Sequence, residues 1–148
     1  MTPAYKLIQL TNNTIGDVAV NAYYPLGRIT RRINTPANCC NTFTVTTSAA
    51  DTVTINDVGF YKITYNLTAT AAAAGEVTIN LVTNGESVYS VSQAIVDETN
   101  AVNLTLIYTI RVCSNCSSTP DNIPVSVQIE NTGTAVTGST SNLIIEKI

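Results

Sequence analysis

The chain has 148 residues, enough for one domain, and a domain near ~150 residues buries roughly 70% of its unfolded surface without help from metals or disulfides. Apolar residues make up 45% and charged residues 11%, well under half the ~25% usual for soluble domains, and the formal net charge is −3. This apolar content excludes a disordered chain, the acidic balance argues against nucleic-acid binding, and no apolar run approaches the ~18–20 residues needed to span a bilayer.

The first segment, residues 1–38, stands apart in composition. It holds four cations, Lys6, Arg28, Arg31 and Arg32, against Asp17, whereas the remainder holds three cations against nine acids. No signal-type apolar core builds before polar Thr11, Asn12 and Asn13, so synthesis in the cytoplasm is expected. Two strand-like runs, Tyr5 to Leu10 and Val18 to Tyr24, are too few for a self-sufficient domain. They are expected to complete themselves on a partner's sheet edge or on the corresponding segments of two further copies. The knot Arg28-Ile29-Thr30-Arg31-Arg32 reads either as a solvated strand face or, with Lys6, as an anchor for an acidic protein surface. The segment ends at Thr35-Pro36-Ala37-Asn38, which predicts an attachment arm over 1–38 and a main domain over 39–148.

Within 39–148 the alternation is clean. Tyr61, Ile63, Tyr65, Leu67 and Ala69 alternate with Lys62, Thr64, Asn66, Thr68 and Thr70. Ala71 to Ala74 are helix formers, but four residues closed by Gly75 cannot nucleate a helix and read as a tight crossing. Val77, Ile79 and Leu81 then alternate with Glu76, Thr78 and Asn80, and Asn84-Gly85 marks a hairpin turn. Val102 to Val112 supplies a third apolar row and Ile123, Val125, Val127 and Ile129 a fourth. One apolar face per strand predicts an all-β, antiparallel sandwich. The ending breaks the rule: Leu143, Ile144, Ile145 and Ile148 fall on both parities. Such a strand is either buried on both faces within one chain or packs one face against neighbouring subunits, which nominates Ile144 and Ile148 as interface residues.

Three segments carry a family resemblance. The run Val58-Gly59-Phe60-Tyr61-Lys62-Ile63-Thr64-Tyr65 resembles the G-x-Y-x-V/I strand of C1q/TNF-like jelly rolls. The segment Val77 to Gly85 resembles their next strand with its NG turn, and Asn142 to Ile148 resembles their closing strand. Within that family the chain is similar to the trimeric head-fibre and capsid-decoration proteins of bacteriophages and to the heads of bacterial spore-surface filaments. The resemblance implies a jelly-roll homotrimer with its closing strands towards the three-fold axis. It departs from the family in lacking a collagen-like stalk, in whose place stand residues 1–38. A virion component, assembled in the host cytoplasm and displayed on the capsid surface, fits a chain with no export signal and a Thr- and Asn-rich exterior.

Enzyme chemistry finds little support. The chain has no His, which rules out Ser-His-Asp, Cys-His and His-metal arrangements, and no Walker or GxGxxG loop occurs. Asp97-Glu98 and Asp121-Asn122 read as turn carboxylates, although C1q-like trimers sometimes hold calcium near their axis. The four cysteines, Cys39, Cys40, Cys113 and Cys116, leave three readings open: two disulfides, a zinc site, or free thiols. Two functions follow from this reading. The first is a virion structural protein anchored to a capsid or other structural protein by its N-terminal arm. The second is an adhesion module that recognises a host-surface glycan or protein.

Overall fold

The computed structural model describes residues 5–35, 42–45, 51–96, 101–115 and 121–148. Among them are eleven strands: β1 Tyr5–Asn12, β2 Gly16–Val18, β3 Arg28–Thr35, β4 Phe43–Val45, β5 Val53–Ile55, β6 Gly59–Ala71, β7 Gly75–Thr83, β8 Glu86–Ile95, β9 Ala101–Val112, β10 Val125–Glu130 and β11 Val136–Lys147. Two antiparallel sheets result. The first runs β3-β1-β11-β6-β9, with β2 also on β11, and the second runs β4-β5-β10-β7-β8. One apolar core lies between them, drawn from both sheets.

The expected alternation holds where one strand face is wet. In β6, Tyr61, Ile63, Tyr65, Leu67 and Ala69 are buried while the intervening residues are half-exposed. Val102, Leu104, Leu106, Ile110 and Val112 do the same in β9, and Val125, Val127 and Ile129 in β10. The hairpin at Asn84-Gly85 forms with both residues at positive φ, 49° and 82°, which matches the twist of the flanking strands. Ala72 to Ala74 form a bend between β6 and β7, not a helix.

β7 departs from its expected pattern. Val77 to Thr83 are buried on both parities, Thr78 at 7% and Asn80 at 5% exposure. Thr78 is covered by the loop after β10, where Gly133 sits so close to Glu76 O and Thr78 Oγ1 that a side chain would not fit. Asn80 satisfies its Nδ2 on Ser87 Oγ at 2.8 Å.

The largest correction concerns residues 1–38, expected as a separable arm. β1 pairs with β11 from Leu7↔Glu146 to Asn12↔Ser141, and β3 pairs in turn with β1. Ile8, Leu10, Tyr24 and Leu26 are fully buried in the shared core. The segment 5–35 is therefore built into the sandwich, and its basic composition marks a sheet edge instead of a domain boundary. Asn131 makes the tie explicit. Fully buried, it donates from Nδ2 to Val18 O (3.2 Å) and Thr134 O (3.0 Å) and accepts from Gly133 N at 3.0 Å. Its backbone N also donates to Ala22 O at 2.8 Å.

Candidate interaction surfaces

The outward face of the first sheet is set by its registers, because residues directly opposite one another share a side. One row runs Arg31, Gln9, Ile144, Thr64, Ile107, and the next runs Arg28, Thr11, Asn142, Asn66, Thr105. The face is lopsided. Towards one end stand Phe60 at 54%, Ile107 at 56%, Ile148 at 68% and Tyr5 at 42% exposure, with half-buried Ile144 among them. Towards the other end is an amide and hydroxyl network: Gln9 Nε2 donates to Asn142 Oδ1 at 2.9 Å, and Thr105 Oγ1 to Asn66 Oδ1 at 2.8 Å. Thr68 Oγ1 donates to Asn103 Oδ1 at 2.6 Å.

The closing strand β11 thus lies centrally in the sheet. It buries Leu143 and Ile145 in the core and turns Ile144 outward. Its end is fixed by Lys147 Nζ on Asp57 Oδ2 at 2.9 Å, by Tyr61 Oη donating to Asp57 O at 2.8 Å, and by Ile148 N donating to Phe60 O at 2.9 Å. Ile148 is exposed and Ile144 half-buried on the outward face, and the sequence reading missed the exposed Phe60 and Ile107 beside them. Ile107 had a visible signal: it is the apolar residue on the otherwise polar parity Asn103, Thr105, Thr109 and Arg111 of β9.

The four nominated cations separate. Lys6 is only 5% exposed, on the inward parity of β1 with Ile8 and Leu10, so it is not the partner-facing group expected. Arg28, Arg31 and Arg32 are exposed on β3. Strict alternation would group Arg28 with Arg32. A bulge at Thr30 intervenes, because Gln9 pairs Arg31 while Leu10 pairs Ile29. Arg28 and Arg31 therefore share the outward face, opposite Thr11 and Gln9, and Arg32, opposite Ile8, turns towards the sandwich rim. Gly27, at φ +88°, packs against Thr11 and Asn12 where a Cβ would collide, which lets the chain turn back into β3. A cleft of about 430 Å3 beside it is lined by Thr11, Asn12, Asn13, Thr14, Gly27 and Arg28.

Cys113 is buried and disulfide-bonded. Cys39, Cys40 and Cys116 lie outside the described residues, as do Asp97, Glu98 and Asn100. Asp121 O accepts from Cys113 N at 2.9 Å and Ile123 N donates to Cys113 O at 2.9 Å, so the Asp121-Asn122 turn is held by backbone bonds. Among the described residues no group of three or more His, Cys, Asp or Glu is placed to hold a metal ion. Nor do they include a helix long and apolar enough to cross a membrane. The strongest electrostatic effects lie in the core, where burial raises the hydroxyl pKa values of Tyr24, Tyr61 and Tyr65 well above the tyrosine norm.

No family model matches the sequence, and no curated protein matches it. Solved structures do match. Eiger TNF from S. frugiperda aligns with a TM-score of 0.66 at 12% identity, covering 99% of this chain and 94% of that one. The globular domain of zebrafish complement 1qA aligns at 0.61 and 8% identity over 97% and 96%. The PRD1 vertex protein P5 aligns at 0.55 and 15% identity over 99% of both chains. The fold is a jelly roll of the C1q/TNF type, and the alignments run through residues 5–35 as well as through the main domain.

Proposed function

We propose that the chain is a non-enzymatic structural protein of a virion, a trimeric head-fibre or capsid-decoration protein that holds its particle through Arg28, Arg31 and Arg32. The observation that carries the assembly is the outward face of the first sheet, with Phe60, Ile107 and Ile148 each more than half exposed. Fully burying one such side chain contributes ~1.5–3 kcal/mol, so a patch of them favours association over exposure. Ile144 at the centre of the sheet and Ile148 at its end bring β11 to the contact, as a closing strand near a three-fold axis requires. The virion assignment draws support from the likeness to a vertex protein over 99% of both chains.

Light scattering coupled to gel filtration is expected to give about three times 15.7 kDa. Ile107→Asp or Phe60→Ser is expected to shift that mass towards the monomer while leaving the strand signal in circular dichroism. A monomeric wild type would refute the trimer. Immunogold labelling of the parent particle tests the location, and a particle bare of this chain would refute it.

A further inference from the structure

We propose that β3 is a strand-addition edge: an extended, acidic segment of the partner protein pairs with its free side and places carboxylates on Arg28 and Arg31. The proposal rests on the anchor reading and specifies its chemistry. Among the described residues β3 pairs with β1 alone, so its other side offers unpaired backbone donors and acceptors. Nothing described covers it, since Arg28, Ile29, Thr30, Arg31 and Arg32 are all exposed. An incoming strand would satisfy those groups, as in other cases of β-augmentation.

Charge selects the partner. Three of the chain's seven Lys and Arg residues lie within these five positions. Neither β1 nor β3 carries an acid, and among the described residues no carboxylate pairs with Arg28, Arg31 or Arg32. The bulge at Thr30 sets Arg28 and Arg31 in neighbouring rows of one face, nearer than strict alternation would set Arg28 and Arg32. This like-charge pair costs energy in the free chain that a partner's carboxylates relieve. The guanidinium fork suits bidentate carboxylate capture better than a lysine would. The other long edges lack this cluster: β8 carries Glu86 and no cation, and β9 carries Arg111 alone.

Edge charges also serve to block pairing with other copies, and the test separates the two roles. The probe is a capped decapeptide alternating Glu and Val, with fluorescence anisotropy as the readout on the full chain. Binding is expected, and it should weaken roughly tenfold for each of Arg28→Ser and Arg31→Ser and fall further as salt rises. The same peptide N-methylated at alternate residues keeps its charge but cannot pair with an edge. It is expected to bind at least tenfold more weakly, and the unmodified peptide should slow hydrogen exchange at amides of residues 28–33. Equal binding of the methylated peptide would overturn strand addition, as would no binding of either. Self-association of the triple Arg→Ser variant with peptide affinity unchanged would identify the arginines as edge guards and also overturn it. Attachment of that triple variant to the parent particle reports separately on the anchor reading. If attachment is lost while both peptides bind alike, the anchor stands and strand addition fails.

Discussion

Asn131 offers the sharpest test of residues 5–35 as part of the sandwich. Its carboxamide is fully buried and bridges Val18 O, Thr134 O and Gly133 N, so it ties the N-terminal segment to the loop after β10. Asn131→Ala leaves two carbonyls and one N–H without these partners. A single unsatisfied buried group costs ~1–3 kcal/mol, and because such losses overlap, the variant is expected to lose about 2–4 kcal/mol. Asn131→Asp should be worse at neutral pH. Its carboxylate still accepts from Gly133 N but turns both donor contacts into repulsion and buries a charge. Burial raises the folded pKa of the introduced acid, so its neutral form is favoured in the native state. The penalty is therefore small below the unfolded value near ~3.9 and grows as pH rises from there. Urea unfolding at one fixed protein concentration, followed by tyrosine fluorescence at pH 4 and pH 7, reads both effects. A loss below about 0.5 kcal/mol for Asn131→Ala would refute the tie. An arm merely tethered to a complete domain would give that result.

The buried tyrosines give two further expectations. Tyr24 Oη donates to Thr78 O at 3.2 Å and Tyr61 Oη to Asp57 O, whereas the Tyr65 and Ser141 hydroxyls are buried without a well-formed hydrogen bond. Tyr65→Phe is therefore expected to be neutral or stabilising by up to ~1 kcal/mol, while Tyr61→Phe should cost about 1 kcal/mol; equal losses in thermal unfolding would refute the distinction. All three hydroxyls have raised pKa values, so the folded state keeps protons that the unfolded state releases above about pH 10, and stability should fall with rising pH there by up to ~1.4 kcal/mol per unit per tyrosine. Stability flat between pH 9 and 11.5 would contradict this assignment.

Legibility in the sequence followed solvent exposure. β6, β9 and β10 each keep one face wet, so their parities separate Thr, Asn and Lys from Leu, Ile and Tyr. In β7 the loop carrying Gly133 closes over Thr78, and small polar side chains there are buried without any change in residue type to announce it. The N-terminal strands were misjudged because charge was weighed above parity. Ile8 and Leu10 share the parity of Lys6, whose burial makes an inward row look mixed. The bulge at Thr30 leaves no mark in the sequence, yet it decides which arginines share a face. Ile107 shows the opposite case, an apolar residue on a polar parity whose outward exposure was legible in the sequence.

Charge placement also bears on how copies would meet under the proposed function. On the outward face of the first sheet stand Arg28, Arg31, Lys62 and Arg111 against two acids, Glu146 and, on β2, Asp17. The strands of the second sheet instead carry Glu76, Glu86 and Glu130. A two-fold dimer through the apolar end of the first sheet would lay this basic face on its own copy, and like charges brought together cost energy. A head-to-tail contact meets a different surface of the neighbour and avoids that clash. Repeated about one axis, it closes into a ring. The exposed apolar groups Phe60, Ile148 and Ile107 then supply the association energy, and the sign of the surrounding charge selects a ring over a face-to-face pair.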